Sequence, residues 1–230
     1  MFQEKICLVN TKGFGKTTTM NITPSLQHYI QSHIIPLYDQ FDPAHQRDHV
    51  QTVITQSLQL AKHYAVNPDM VYAIAAYHDT GLSQGRTTHH LVSGQIIRHD
   101  TQLRQWFTED QIEIMAQAAE DHRASSDHAP RTIYGLLLAE ADRTIDPHTI
   151  IRRTIQYGLA HYPELSPAEP YERTRSHLRE KYGDGGYLKL WIPESPNAAR
   201  LEALRVIIRD EDQLSQLCST IYQTLHTPES

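Results

Sequence analysis

From Thr23 onward, apolar side chains return every three or four residues, a spacing that predicts one helix after another. Leu26, Tyr29, Ile30 and Ile34 make one such face behind Pro24-Ser25. A second face follows Asp42-Pro43 and runs through His49, Val53, Ser57, Leu60 and Ala61. A third opens at Pro68 with Val71, Ile74, Ala75 and His78, and Gly81 reads as its C-terminal stop. Thr108-Glu109-Asp110-Gln111 has the form of a capping box, heading a helix with Ile112, Met115, Ala119 and His122. Pro130 precedes a helix that carries Ile133, Leu137, Leu138 and Asp142, and Pro147 opens the next. A final helical stretch spans about 197–225, with a break predicted near Asp210. Strand-like alternation is almost absent, so the expected fold class is all-α.

Two segments escape this pattern. Residues 1–22 read as an irregular leader. Within them, Gly13-Phe14-Gly15-Lys16-Thr17 has the ending of a phosphate-binding loop, but Asn10 stands where the first glycine belongs and no apolar strand surrounds the run. A nucleotide loop is therefore not expected there. The stretch Tyr182–Trp191, with Gly183, Gly185 and Gly186, reads as a short hairpin or a lid. The expected organisation is a leader over 1–22, a helical core over 23–165, and a C-terminal helical extension over 166–230 packed on that core.

Composition narrows the function. The 230 residues suit one large domain, or one domain with an appendage. A net charge of −6 disfavours an extended nucleic-acid partner, which needs a basic stripe. It leaves room for a small phosphorylated substrate, which needs only two or three local cations. Cys7 and Cys218 lie far apart and supply neither a thiolate metal motif nor a disulfide framework, so a cytoplasmic protein is expected. No membrane-spanning run or secretory start is visible in the sequence.

The chemistry is in His49, His78, Asp79 and Asp142, each set in apolar helical sequence. Imidazoles and carboxylates bind borderline and hard divalent ions without thiolate help. On a core-facing stripe such groups are costly unless paired or metal-bound. Taken singly, each is better read as a satisfied core residue. Neighbouring Asp and His are also frequent here, as Asp48-His49, Asp121-His122 and Asp127-His128 show. Taken together, four ligand-type residues at helical register point to metal. Adjacent side chains on a helix diverge by about 100°, so His78 and Asp79 share an ion only near a helix end, where Gly81 places them.

The order His, His-Asp, Asp on helices resembles the HD superfamily of metal-dependent phosphohydrolases. Asp42, His45, His49 and Val53 fit the family's D-x-x-H-x-x-x-H-x-x-x-V element. His78-Asp79 fits the HD pair and Ala141-Asp142-Arg143 the terminal element, so the likeness covers roughly residues 40–150. It implies an HD-domain helical bundle with additional C-terminal helices. It also implies His49, His78, Asp79 and Asp142 as ligands of one or two divalent ions (Mn, Fe, Ni, Co, Zn or Mg). His45 would sit near the site or serve packing. Second-ion ligands would be His122 with His89, which matches best by register, or its close rival His90, Asp79 bridging. The reaction implied is hydrolysis of a phosphate ester or anhydride in a small molecule, a nucleotide among the candidates, by metal-activated water.

Asp79 would orient or deprotonate that water. Arg123, Arg131 and Arg143 are the arginines expected at substrate phosphate, with Arg123, beside His122, also given a catalytic role. Lys181 and Lys189 flank the glycine-rich segment and would screen substrate charge if it closed over the pocket. The alternatives are a di-iron oxygenase of HD type and a non-catalytic metal- or ligand-binding module. The long C-terminal helix could serve an oligomer interface.

Overall fold

The computed structural model describes residues 20–42, 45–126, 128–143, 145–162 and 169–226. The run Gly13–Thr17 lies outside them. Helix α1, Pro24–Tyr29, passes through a π turn at Ile30–Ile34 into a 3-10 segment at Ile35–Gln40. Then come α2 (Arg47–Ala61), α3 (Pro68–Tyr77), a 3-10 turn (Thr80–Gln84), α4 (His89–His99) and a second 3-10 turn (Thr101–Gln105). They are followed by α5 (Glu109–Asp121), α6 (Ile133–Ala141), α7 (Pro147–His161), α8 (Glu169–Tyr182), α9 (Asn197–Arg209) and α10 (Glu211–His226). Among the described residues there is no strand, and the fold is all-α.

Local chemistry sets the helix ends. Asn67 accepts from the Asp69 N–H at the start of α3, with Pro68 in the first turn. Thr108 and Gln111 close the predicted capping box on α5. Thr132 caps α6 through the Gly135 N–H, and Asp146 caps α7 through the Thr149 N–H. The predicted break falls at Asp210, which leaves the helical region and accepts from the Gln213 N–H to cap α10.

Gly81 has a different role from the one expected. Among the described glycines only Gly85, at φ 104°, occupies the left-handed region. Gly81 is needed for close approach: a Cβ there would overlap the carbonyl oxygen of His89 and come 2.7 Å from the Ser93 nitrogen. Its N–H donates to Ser93 Oγ at 2.9 Å. The 3-10 turn after α3 is thereby docked on the first turns of α4.

Apolar side chains form two clusters. The first gathers Leu26, Ile30, Tyr38, Val50, Ile74, Met115 and Leu138 from the elements up to α6. The second gathers Ile151 and Ile155 of α7 with Leu178, Leu204, Leu214 and Ile221. The first core was expected to reach residue 165; instead the change of cluster comes at Ile145, and α7 packs with α8, α9 and α10. Each such side chain is worth about 1.5–3 kcal/mol on burial, so α7 is committed to the second cluster.

The two halves are tied through Glu140 of α6, which is fully buried. Its carboxylate accepts from the Trp191 N–H at 2.7 Å and from Asn197 Nδ2 at 2.9 Å. The glycine-rich stretch is not a hairpin. It folds back on the end of α8, where the Tyr187 and Leu188 N–H groups donate to the carbonyls of Glu180 and Lys181. Gly186 permits this, because a Cβ would stand 2.5 Å from the Lys181 oxygen.

Candidate metal centre

Every candidate ligand stands at a helix end. His49 lies in the first turn of α2, and His89 begins α4. His78, His122 and Asp142 are the residues on which α3, α5 and α6 close. Asp79 follows at φ −108°, ψ 5°, outside the regular helix, so it and His78 turn to one point despite being neighbours. Three C-terminal ends therefore converge, and the partial negative charge of their carbonyls favours a cation between them.

The geometry gives two sets of ligand atoms. In the first, His49 Nε2 lies 3.2 Å from His78 Nε2, 3.5 Å from Asp79 Oδ2 and 3.2 Å from Asp142 Oδ1. His78 Nε2 lies 3.2 Å from Asp79 Oδ2 and 3.7 Å from Asp142 Oδ1. In the second set, Asp79 Oδ1 lies 3.4 Å from His89 Nε2 and 3.5 Å from His122 Nε2, and those nitrogens are 3.3 Å apart. Ligands about 2.1 Å from one ion sit roughly 3–3.5 Å from one another, and both sets keep to that spacing except for the 3.7 Å between His78 and Asp142. Two groups of residues can hold a metal ion, His49-His78-Asp79 and Asp79-His89-His122. Asp79 belongs to both.

The imidazoles are prepared as ligands. Nδ1–H of His78 donates to the Ala75 carbonyl at 2.8 Å, that of His89 to the Arg86 carbonyl at 2.8 Å, and that of His122 to the Ala119 carbonyl at 2.5 Å. Each bond fixes the tautomer that leaves Nε2 with its lone pair towards the cluster. Tyr38 accepts from the Asp79 N–H at 3.3 Å and donates to the Ala76 carbonyl at 2.9 Å, which steadies the backbone beneath the bridging carboxylate.

Electrostatics agree with this reading. Burial alone would lower the pKa of His49, but Asp142 and Asp79 outweigh it and hold the imidazole above its ordinary value. His78, also buried, is held well above by the charge of Asp79 and by its bond to Asp142. Burial would raise both carboxyls; the charge of His78 keeps Asp79 well below the usual range, and bonds from His49 and His78 do so for Asp142. His89 goes the other way, brought down to about 4 by burial and then by His122. Where protons are held between imidazole and carboxylate in this manner, a divalent cation can replace them.

The sequence reading brought His49, His78, Asp79, Asp142 and His122 to one place, and the structure selects His89 over His90 as their companion. The His90 ring packs on His89, but its buried Nδ1 has no partner among the described residues and the side chain lines a different groove. The three arginines separate. Arg143 lines a cavity of about 200 Å³ together with His49 and Asp142. Arg123 donates to the Thr87 carbonyl and borders the open groove beside His90. Arg131 clasps the buried Asp121 at 2.8 Å and Glu120 at 2.6 Å, so its guanidinium is used in holding α5 to the following loop. A buried carboxylate needs such a partner, and Arg131 also borders the open groove that Arg123 lines.

His45, which lies in the D-x-x-H element, lines the same cavity and bonds Asp42 at 2.7 Å. Lys181, Tyr182 and Arg153 complete the wall, whereas Lys189 is not among its lining residues. Arg153 was not anticipated. Nothing in the Arg152-Arg153 pair distinguishes one from the other until α7 has been packed. Among the described residues no helix is long and apolar enough to cross a membrane.

Residues 47–145 match the family model described as HD domain. Neither a curated protein nor a solved structure matches the chain.

Proposed function

Residues 47–145 are an HD domain, and from that premise we propose that the chain hydrolyses a phosphate ester or anhydride bond in a small molecule, using two divalent ions that share Asp79. The observation that supports this reading most directly is the pair of ligand sets meeting on the two oxygens of one carboxylate. Ions held there would acidify a water and polarise a phosphoryl oxygen.

The chain's own residues do the rest. Asp142, at 27% side-chain exposure, is the ligand nearest to solvent and opens on the cavity, while His78 at 0% forms the closed floor. Substrate therefore enters past Asp142. Arg143, on the cavity wall, meets the phosphoryl oxygens as negative charge gathers on them. His45 can take or give a proton at its imidazole, held towards the cavity by Asp42.

The test strips the protein of metal and reloads it separately with Mn²⁺, Fe²⁺, Co²⁺, Ni²⁺, Zn²⁺ and Mg²⁺. Phosphomonoesters, cyclic nucleotides and dinucleoside polyphosphates are then assayed. The expected result is turnover with at least one ion, reduced by 10³-fold or more in His78→Ala. Absence of turnover throughout the panel overturns the reading.

A second reading, a di-iron oxygenase, draws on the same six ligand positions. Iron in protein prepared in air, with oxygen uptake in place of phosphate release, would favour it.

A further inference from the structure

We propose that the C-terminal half of the chain builds an anion subsite against the metal centre, so that the substrate carries a second anionic group close to the one attacked. This rests on the phosphohydrolase reading above. One side of the 200 Å³ cavity is made by His49 and Asp142. The facing side is cationic: Arg143 just beyond α6, Arg153 on α7 and Lys181 on α8.

Among the described residues none of these cations is in an ion pair, and Asp142, whose charge acts on Arg143 and Lys181, is itself a candidate metal ligand. Arg143 is buried; among the described residues it bonds the Ala139 carbonyl and its Nε has no partner. Among the described residues, Arg153 and Lys181 form no ion pair, and the ammonium of Lys181 lies over the Tyr182 ring, 5.1 Å from its centroid. Several arginines elsewhere are paired with carboxylates: Arg47 with Asp39, Arg98 with Glu113 and Glu120, Arg209 with Asp184. In a chain of net charge −6, three cations outside any ion pair gather on one cavity wall. Withdrawing a guanidinium from water without a counter-charge is costly, and an incoming anion removes that cost.

The cavity's size sets the ligand class. At about 200 Å³ it is below the usual range for a whole drug-sized ligand. It accepts a small doubly anionic unit and leaves any larger appendage in solvent. Compounds with two closely spaced anionic groups fit, and inorganic diphosphate is their simplest member.

The experiment is titration calorimetry on the metal-free protein, with inorganic diphosphate and orthophosphate as probes. Diphosphate is expected to bind at least tenfold more tightly than orthophosphate. Lys181→Gln and Arg153→Gln should each weaken diphosphate about tenfold without moving metal content after reloading. If Lys181→Gln fails to fold, Lys181→Met keeps the alkyl stem and reads the same loss. Equal affinity for the two anions, or unchanged diphosphate binding in both variants, overturns the proposal. The two readings fail separately. Diphosphate binding that depends on Lys181 and Arg153, with no turnover on any ester, removes the hydrolase and keeps the subsite. Metal-dependent turnover whose KM ignores both substitutions does the reverse.

Discussion

At the scale of single residues, the centre couples proton and metal occupancy, and the signs can be worked out for the metal-free protein. His49 and His78 are raised on folding, so their contribution is complete below the unfolded value near 6.5 and fades as pH climbs through the folded values. His89 is lowered to about 4, so between 6.5 and 4 the unfolded chain takes up a proton that the folded chain refuses, and stability falls with pH. Together these give the metal-free protein a stability maximum near pH 6.5, measurable by urea denaturation from pH 4.5 to 8.5. Loaded protein needs neutral imidazoles and is expected instead to gain stability from pH 6 to 8. Matching slopes with and without metal would contradict this. Most of these residues were legible in the sequence because several ligand-type side chains on apolar helical faces recur in one order, although each taken singly reads as a core residue. Between His89 and His90 the register favoured His89 only narrowly, since both open the same helix; the structure sets the His89 ring against Asp79.

At the scale of elements, punctuation carries the design. Proline starts and side-chain caps were readable and placed α3, α5, α6 and α7 correctly. The role of Gly81 was not readable, because a glycine serving close approach looks in sequence like one that ends a helix. Gly81→Ala should therefore push the 3-10 turn away from α4, moving His89 off Asp79. The expected loss is about 3 kcal/mol of stability together with one of two bound ions, checked by thermal melting and elemental analysis. Thr108→Ala offers the contrast. It removes a cap at the end of α5 remote from His122, and should cost about 1 kcal/mol with specific activity unchanged.

At the scale of the whole molecule, two cores share one pocket. Helical periodicity announces each core but not the seam between them, because a periodic face does not name its partner. Hence α7 read as part of the first core, and Arg153 passed without notice. The buried Glu140 holds the halves together. Glu140→Ala leaves the Trp191 N–H and the Asn197 amide without their partner, at a cost of about 2–4 kcal/mol. Limited proteolysis of this variant should cut between α8 and α9 sooner than in the parent, and substrate KM should rise more than kcat falls. Unchanged cleavage would mean that the apolar contacts alone keep the halves joined.

The unequal exposure of the ligands bears on how the centre fills and empties. Asp142 reaches solvent at 27%, whereas Asp79 at 5% is nearly sealed. An ion held by His49, His78 and Asp142 would thus have an open door, and a second ion beside it would leave only through that door or by local unfolding. A chelator should drain the protein in two phases, fast and slow, with the half-emptied species long-lived enough to be refilled by a different element and so to yield mixed-metal protein.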